Sequence, residues 1–256
     1  MKQLVIVTRP AEAGARLLER LRTAGRDALG WPVFEIGPAP DQEHARRTLG
    51  RLADFDLALF VSPAAARAAA VLLARPWPST TKIGAVGAAT GVAVVQDLKP
   101  PAGTLVIAPA SDGAAGSEAF WAEWEQRGCV ARRVLILRAQ QGREWLAERF
   151  GAAGAAVEVL AVYTRTDPAT DPAVQRELQQ AMASSVPAIV VFSSSEAVEA
   201  LDRQVADIAG ARGWLRRGTA IATHERIRER LLGAGYTQVE LSAPDDDALI
   251  ARLESL

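Results

Sequence analysis

Cysteine and histidine are almost missing from this chain of 256 residues: Cys129 stands alone, and His44 and His224 are the only imidazoles. A single cysteine excludes a disulfide framework, and so few sulfur and imidazole ligands exclude Cys- or His-rich structural zinc patterns. Cys129 follows Gly128 with no charged partner to activate it and reads as inert. Cysteine usage points to a reducing compartment. Charge of one sign is missing too. With 29 Lys and Arg against 30 Asp and Glu, the formal net charge of -1 argues against a general nucleic-acid or anionic-membrane binder.

Long apolar runs are also lacking. The N-terminal run Leu4–Val7 stops at Thr8 and Arg9, too short for a secretory signal core. The longest uncharged apolar stretch, Gly84–Val95, falls short of the about 18 residues a spanning helix needs. These absences read as a soluble cytoplasmic protein. Nucleotide motifs are missing as well. There is no G-x-x-x-x-G-K-[ST], the loop Thr8–Gly14 after the first apolar run is not G-x-G-x-x-G, and Gly84-Ala-Val-Gly87 is only a two-glycine fragment. No G-x-S-x-G elbow occurs and neither histidine has triad spacing. The expectation is no cofactor and no metal.

What is present is enough apolar sequence, 49%, to bury a real core, in a length that suits one large domain or two compact ones. Short apolar runs alternate with helical stretches. The clearest runs are Leu4–Val7, Leu57–Val61, Leu105–Ala108, Val134–Leu137 and Ala188–Phe192, with weaker ones at Ile83–Val86 and Ala220–Ala222. Continuous apolar strands between helices predict α/β structure with parallel sheets covered on both faces. Leu17, Leu18 and Leu21 recur at helical spacing among Arg16, Glu19, Arg20 and Arg22, and Gly25, Gly154 and Gly235 stand where helices should stop. A shift of 129 positions aligns Arg9, Leu17, Glu19, Arg20, Ala24 and Gly25 with Arg138, Leu146, Glu148, Arg149, Ala153 and Gly154. A shift of 132 pairs Phe60, Ser62, Ala65 and Ala68 with Phe192, Ser194, Ala197 and Ala200. Two similar halves are expected. The segments 31–40 and 157–165 have alternating character and are expected to pair as a ribbon.

The polar residues of interest sit at strand-to-helix junctions: Thr8-Arg9-Pro10, Ser62-Pro63, Thr90, Arg138 with Gly142-Arg143-Glu144, Ser193-Ser194-Ser195 and Thr223-His224. Ligands of open α/β sheets collect at the carboxyl ends of strands, where helix N-termini present free N–H groups to anions. Ser62 and Ser194 read as N-caps, a role whose geometry also suits anion binding. His224 opens a helix and is either structural or ligand-facing. His44, in the charged stretch 41–47, reads as a surface residue. Asp245-Asp-Asp247 looks like a metal-binding cluster but precedes an apolar helix, which favours a capping role.

Together these segments resemble the uroporphyrinogen-III synthase family: VTRP at 7–10, LFVSPAAARA at 59–68, AVGAATGVAV at 85–94, ILRAQQGREWLAERF at 136–150, VEVLAVYTR at 157–165, VVFSSSEAVEAL at 190–201 and ATHERIRERLLGAG at 222–235. Each is chemically plain; their order and coverage carry the resemblance. It implies two similar α/β domains joined by a two-stranded antiparallel β ribbon. One, 1–36 with 166–256, holds both termini; the other is the inserted 41–161, with 37–40 and 162–165 as hinge or linker. It implies a cofactor-independent lyase that closes hydroxymethylbilane, a linear tetrapyrrole, to uroporphyrinogen III with loss of water and inversion of the last ring through a spiro intermediate. It implies Tyr163 as proton donor to the departing hydroxyl, the alternative being an aromatic that packs the ribbon against a domain. Arg9 and Arg138 are the candidates for charge contacts to substrate carboxylates, the alternative being ordinary salt bridges, and Ser62, Thr90, Ser194 and His224 are further substrate-binding candidates. Expected partners are the small-molecule substrate and, transiently, the preceding pathway enzyme. Nucleic acid and membrane are not expected, and the chain reads as a monomer. The alternative from a different class is a two-lobed cytoplasmic binding or sensor protein for a small anionic ligand. A weaker third reading, a flavodoxin-like partner, lacks aromatics placed to stack on a flavin.

Overall fold

Each apolar run read from the sequence is a strand in the computed structural model, which describes residues 3–110, 116–184 and 186–256. The first elements are β1 (Val5–Val7), α1 (Ala11–Thr23), β2 (Ala28–Gly30), β3 (Glu35–Gly37), α2 (Gln42–Leu49) and β4 (Leu57–Phe60). Next come α3 (Pro63–Leu72), β5 (Lys82–Ala85), α4 (Ala88–Ala93), β6 (Val106–Ile107), α5 (Ser117–Gln126) and β7 (Arg133–Ala139). Then follow α6 (Trp145–Ala152), β8 (Ala156–Thr166), α7 (Pro172–Ala183), β9 (Ile189–Phe192) and α8 (Ser195–Gln204). The chain ends with α9 (Ala211–Arg217), β10 (Thr219–Ala222), α10 (Glu225–Gly233), β11 (Gln238–Leu241) and α11 (Asp246–Glu254). Among the described residues no helix is long and apolar enough to cross a membrane.

The elements divide into two units, Met1–Glu35 with Thr166–Leu256 and Ile36–Arg165. The first unit holds a five-stranded sheet of order β11-β10-β9-β1-β2, and every pair in it is parallel. Its central strands are buried along their whole length, so both faces need cover. Side chains alternate between faces. Val5 and Val7 point to a cluster with Leu17, Leu21, Leu249 and Leu253, and Ile6 to a second with Trp31, Leu201, Trp214 and Leu231. Helix α1 meets the sheet through Leu17 and Leu21 and ends at Gly25, whose φ of 71° is open to glycine at no steric cost. Gly154 and Gly235 end α6 and α10 the same way, at φ 88° and 91°.

The second unit holds a six-stranded sheet of order β3-β8-β7-β4-β5-β6, parallel from β8 to β6. One face packs Ala58, Phe60, Leu135 and Leu137 against α3 through Ala65, Ala66, Ala69 and Leu72; the other packs Leu57, Leu59, Val134 and Ile136 against Phe120, Trp124, Leu146 and Phe150. Asp56, just ahead of β4, accepts the main-chain N–H groups of Arg132 and Arg133 at 2.7 and 2.9 Å and so ties the starts of β4 and β7 together. Those two N–H donors hold its carboxyl below the ordinary value of 3.8. The chain crosses between units after Glu35 and after Arg165, and the two crossing points lie on β3 and β8, neighbours in the second sheet.

Candidate active site

In each unit the strand order reverses at one place, where chain connections run outward in opposite directions. That place is β1/β9 in the first unit and β7/β4 in the second. The crevice beyond the carboxyl ends of such strands is where open α/β sheets bind ligands. Arg9, Ser193 and Ser194 stand there in the first unit, and Arg138 and Ser62 in the second. The structure therefore gathers the junction residues into two rims.

On the first rim, Arg9 is fully engaged. Its Nη1 meets Asp246 at 2.6 Å, Nη2 donates to the Pro244 carbonyl at 2.7 Å, and Nε to Ser193 Oγ at 3.1 Å. The adjacent Thr8 is buried and donates to the Val191 carbonyl at 2.8 Å. Ser194 caps α8, its Oγ accepting from Ala197 N at 3.3 Å. His224 caps α10 through Nδ1, which accepts from Arg226 N at 3.1 Å. An accepting Nδ1 places the ring proton on Nε2. Asp245 caps α11, accepting from Ala248 N at 2.8 Å, which is the capping role read for the acidic run. Its neighbours Asp246 and Asp247 pair with Arg9 and Arg20. Among the described residues no group of three or more His, Cys, Asp or Glu is placed to hold a metal.

The second rim is built around α3. Ser62 precedes it in extended backbone, with Pro63 in the first turn, and Ser62 Oγ accepts from Ala65 N at 3.1 Å. The same Oγ lies 3.1 Å from the phenolic oxygen of Tyr163 on β8. Arg165, two residues further along β8 and on the same side of the strand, donates from Nη2 to that phenolic oxygen at 3.1 Å, with its guanidinium 5.7 Å from the ring centre. Arg138 turns back on its own loop, donating to the Arg143 carbonyl at 3.0 Å and pairing with Glu144. Thr90 is buried in the first turn of α4. A cavity of about 610 Å³ opens at the opposite end of α3, lined by Arg46, Arg47, Arg51 and Arg75. It lies away from the rim of its own unit, and three of its arginines already have partners in Gln42, Glu43 and Glu158. We take the rims, not this cavity, as the site.

Set against the sequence expectations, Ser62 and Tyr163 are brought together, while Arg138 and Thr90 lie on the same rim without a bond to either. Tyr163, expected to meet the departing hydroxyl itself, is 1% exposed. Arg9 and Arg138, expected to meet substrate carboxylates, each have a carboxylate of their own chain. Arg165 was not among the expected residues. Its signal was the i, i+2 spacing to Tyr163 in a strand.

The family model described as uroporphyrinogen-III synthase HemD matches residues 15–251, across both units. The chain belongs to the uroporphyrinogen-III synthase family. Its curated relatives include the uroporphyrinogen-III synthases of Escherichia coli (strain K12) and Salmonella typhimurium, each 28% identical and covering 98% of this chain and 99% of the relative. Among solved structures, a mutant uroporphyrinogen III synthase from Thermus thermophilus aligns over 99% of this chain and 98% of its own, with a TM-score of 0.62 at 16% identity. Uroporphyrinogen-III synthetase from Helicobacter pylori aligns over 100% and 99%, with a TM-score of 0.59 at 15% identity. These structures share the fold.

Proposed function

We propose that the chain is a cofactor-independent lyase that closes hydroxymethylbilane to uroporphyrinogen III. It acts in the cytoplasm, in tetrapyrrole biosynthesis, as a monomer that takes its substrate from the preceding enzyme. The observation that carries this reading is a family match running through both units rather than through one. No observation favours the binding-protein alternative.

The chemistry asks little of the protein in the way of reactive groups. Loss of the hydroxyl, driven by the pyrrole nitrogen, gives an azafulvene; attack from the substituted carbon of the last ring gives the spiro intermediate; fragmentation and reclosure invert that ring. Spontaneous closure gives the non-inverted isomer I, so the main task is to hold the chain in the geometry of the inverted closure. Helix N-termini suit that task. The first turns of α3, α8 and α10, capped by Ser62, Ser194 and His224, point N–H groups to the rims, and such groups hold carboxylates without a strongly basic surface. Thr90 belongs to the same rim as Ser62. Arg9 and Arg138, each tied to a carboxylate, keep the rims in shape. Tyr163 supplies the proton for the departing hydroxyl. Residues 37–40 and 162–165 act as the linker between the units.

The test is to incubate the purified protein with fresh hydroxymethylbilane, oxidise the products and separate the isomers by chromatography. A predominance of isomer III is expected. Isomer I alone, from folded protein, overturns the reading.

A further inference from the structure

A phenol that supplies a proton has to reach an acceptor, and Tyr163 is closed off, with 1% of its surface exposed. Ser62, hydrogen-bonded to it, is only half-buried and stands at the rim. The hydrogen bonds on either side have a direction. A guanidinium has donors and no acceptor, so Tyr163 Oη can only accept from Arg165. Ser62 Oγ already accepts from Ala65 N, which fixes the hydroxyl at the start of α3 and leaves its own proton free to turn outward.

Resting on the synthase reading, we propose that Arg165, Tyr163 and Ser62 form one directed relay, in which Ser62 is the group that touches the departing hydroxyl. The donor-only guanidinium fixes the first bond, and in the relay the rest follow in the same sense: Arg165 N–H to Tyr163 Oη, Tyr163 O–H to Ser62 Oγ, Ser62 O–H to the substrate. As the carbon–oxygen bond breaks, its electron pair stays with the oxygen, which takes the Ser62 proton and leaves as water. The Tyr163 proton moves to Ser62 in the same step. A serine hydroxyl is too weak an acid to be left as an alkoxide, so the negative charge comes to rest on the phenolic oxygen beside the Arg165 guanidinium. The proton that the tetrapyrrole sheds when its rings regain aromaticity returns along the same path. The cycle closes with the loss of one water and nothing else. Tyr163 thus acts through Ser62, and Arg165 is a positioning residue.

The experiment is a double-mutant cycle on single-turnover formation of isomer III, joined to a proton inventory in mixed light and heavy water. Glycine is accepted at an N-cap nearly as well as serine, so Ser62→Gly removes the hydroxyl while keeping α3. Tyr163→Phe and Ser62→Gly are each expected to slow the reaction roughly hundredfold, the low end for general acid catalysis. The double variant should be no slower than the slower single, and Ser62→Thr should restore the rate. The wild-type inventory should bow, reporting two protons in flight, and become linear in Ser62→Gly. Arg165→Gln should lower kcat with KM unchanged, because the phenol loses the donor that orients it. Isomer III from the wild type, with the two losses multiplying or the inventory unchanged in Ser62→Gly, overturns the relay alone. Isomer I alone from the wild type overturns the synthase reading and the relay with it.

Discussion

The two sheets share one strand order and are filled in different ways. The first, from β2 through β1, β9 and β10 to β11, matches the second from β8 through β7, β4 and β5 to β6, which adds β3 at its edge. The chain visits them in different sequence, taking the matching pair β1 and β2 first in one unit and the pair β7 and β8 last in the other, so each is a circular permutation of its counterpart. The register allows position-by-position comparison. Val191 lies between Val7 and Ile221, and Leu59 between Ile136 and Gly84. Ile221 packs in an aliphatic cluster under α1 and α11, with Leu17, Leu21, Leu249 and Leu253. The matching face of the second unit is aromatic, with Phe120, Trp124 and Phe150 in edge and tilted contacts. Gly84 is what admits them, since a Cβ there would stand 2.7 Å from Leu59 Cδ1 and 2.9 Å from the Phe120 ring. Strand order follows from backbone pairing and the connections, whereas packing conserves total volume and leaves open which partner supplies it.

Substitutions that trade features between the units put this to the test. The largest effect is expected at the residue before the fourth matching strand. There Gly218 precedes β10 and Thr81 precedes β5, and the next amide donates to the Ala188 carbonyl in one unit and the Asp56 carbonyl in the other. A Cβ on Gly218 would lie 2.1 Å from the Ala188 oxygen, a backbone atom with nowhere to go. Gly218→Ala should cost more than about 3 kcal/mol in urea unfolding, although Thr81 is accommodated at the matching place with its hydroxyl donating to the Leu52 carbonyl. Gly84→Ile, which imports the side chain of the first unit, should cost about 3 kcal/mol. Adding Phe120→Leu should recover part of it; purely additive losses would break the idea of volume exchange.

Asp56 has Ala188 as its counterpart, so Asp56→Asn, which keeps an accepting oxygen but loses the charge, weakens a tie that the first unit does without; about 1 kcal/mol is expected. The sign with pH is definite. Because the native carboxyl titrates below 3.8, its contribution is present above that value and is lost as pH falls through the lowered native value. Unfolding free energy should therefore fall less steeply with acid in Asp56→Asn than in the wild type. No larger effect is expected of Ser194→Ala, about 1 kcal/mol for a lost cap with no change of fold.

Much of this was legible in the chain. The central strands announced themselves because both faces are buried and the sequence is apolar throughout. The edge strands did not: Gln238–Leu241 mixes polar and apolar residues because it is only half covered, and Ala28–Gly30 is too short to stand out. Caps were readable, since Ser62, Ser194 and Asp245 act within three residues of themselves. What escaped was long-range. Arg9 finds Asp246 across most of the chain, and Ser62 finds Tyr163 only after β4 and β8 have been placed in one sheet, so no local pattern names either pair. Arg165 was visible but carried no signal beyond lying two residues from Tyr163.

The pairing of β3 with β8 also has a consequence for the newborn chain. The unit made of 36–165 is continuous and has all its strands once Arg165 leaves the ribosome, while β1 waits for β9, its neighbour in the other sheet. Were the intervening stretch a loose loop, bringing its ends together would cost about 3 kcal/mol more in closure entropy than a tight turn. Folded first, it presents those ends on adjacent strands, and the late-arriving C-terminal segment meets the N-terminal one as though joined by a short tether. The insertion thus serves its host as a clamp during synthesis, and delayed translation beyond Arg165 should leave a protease-resistant fragment bounded by β3 and β8.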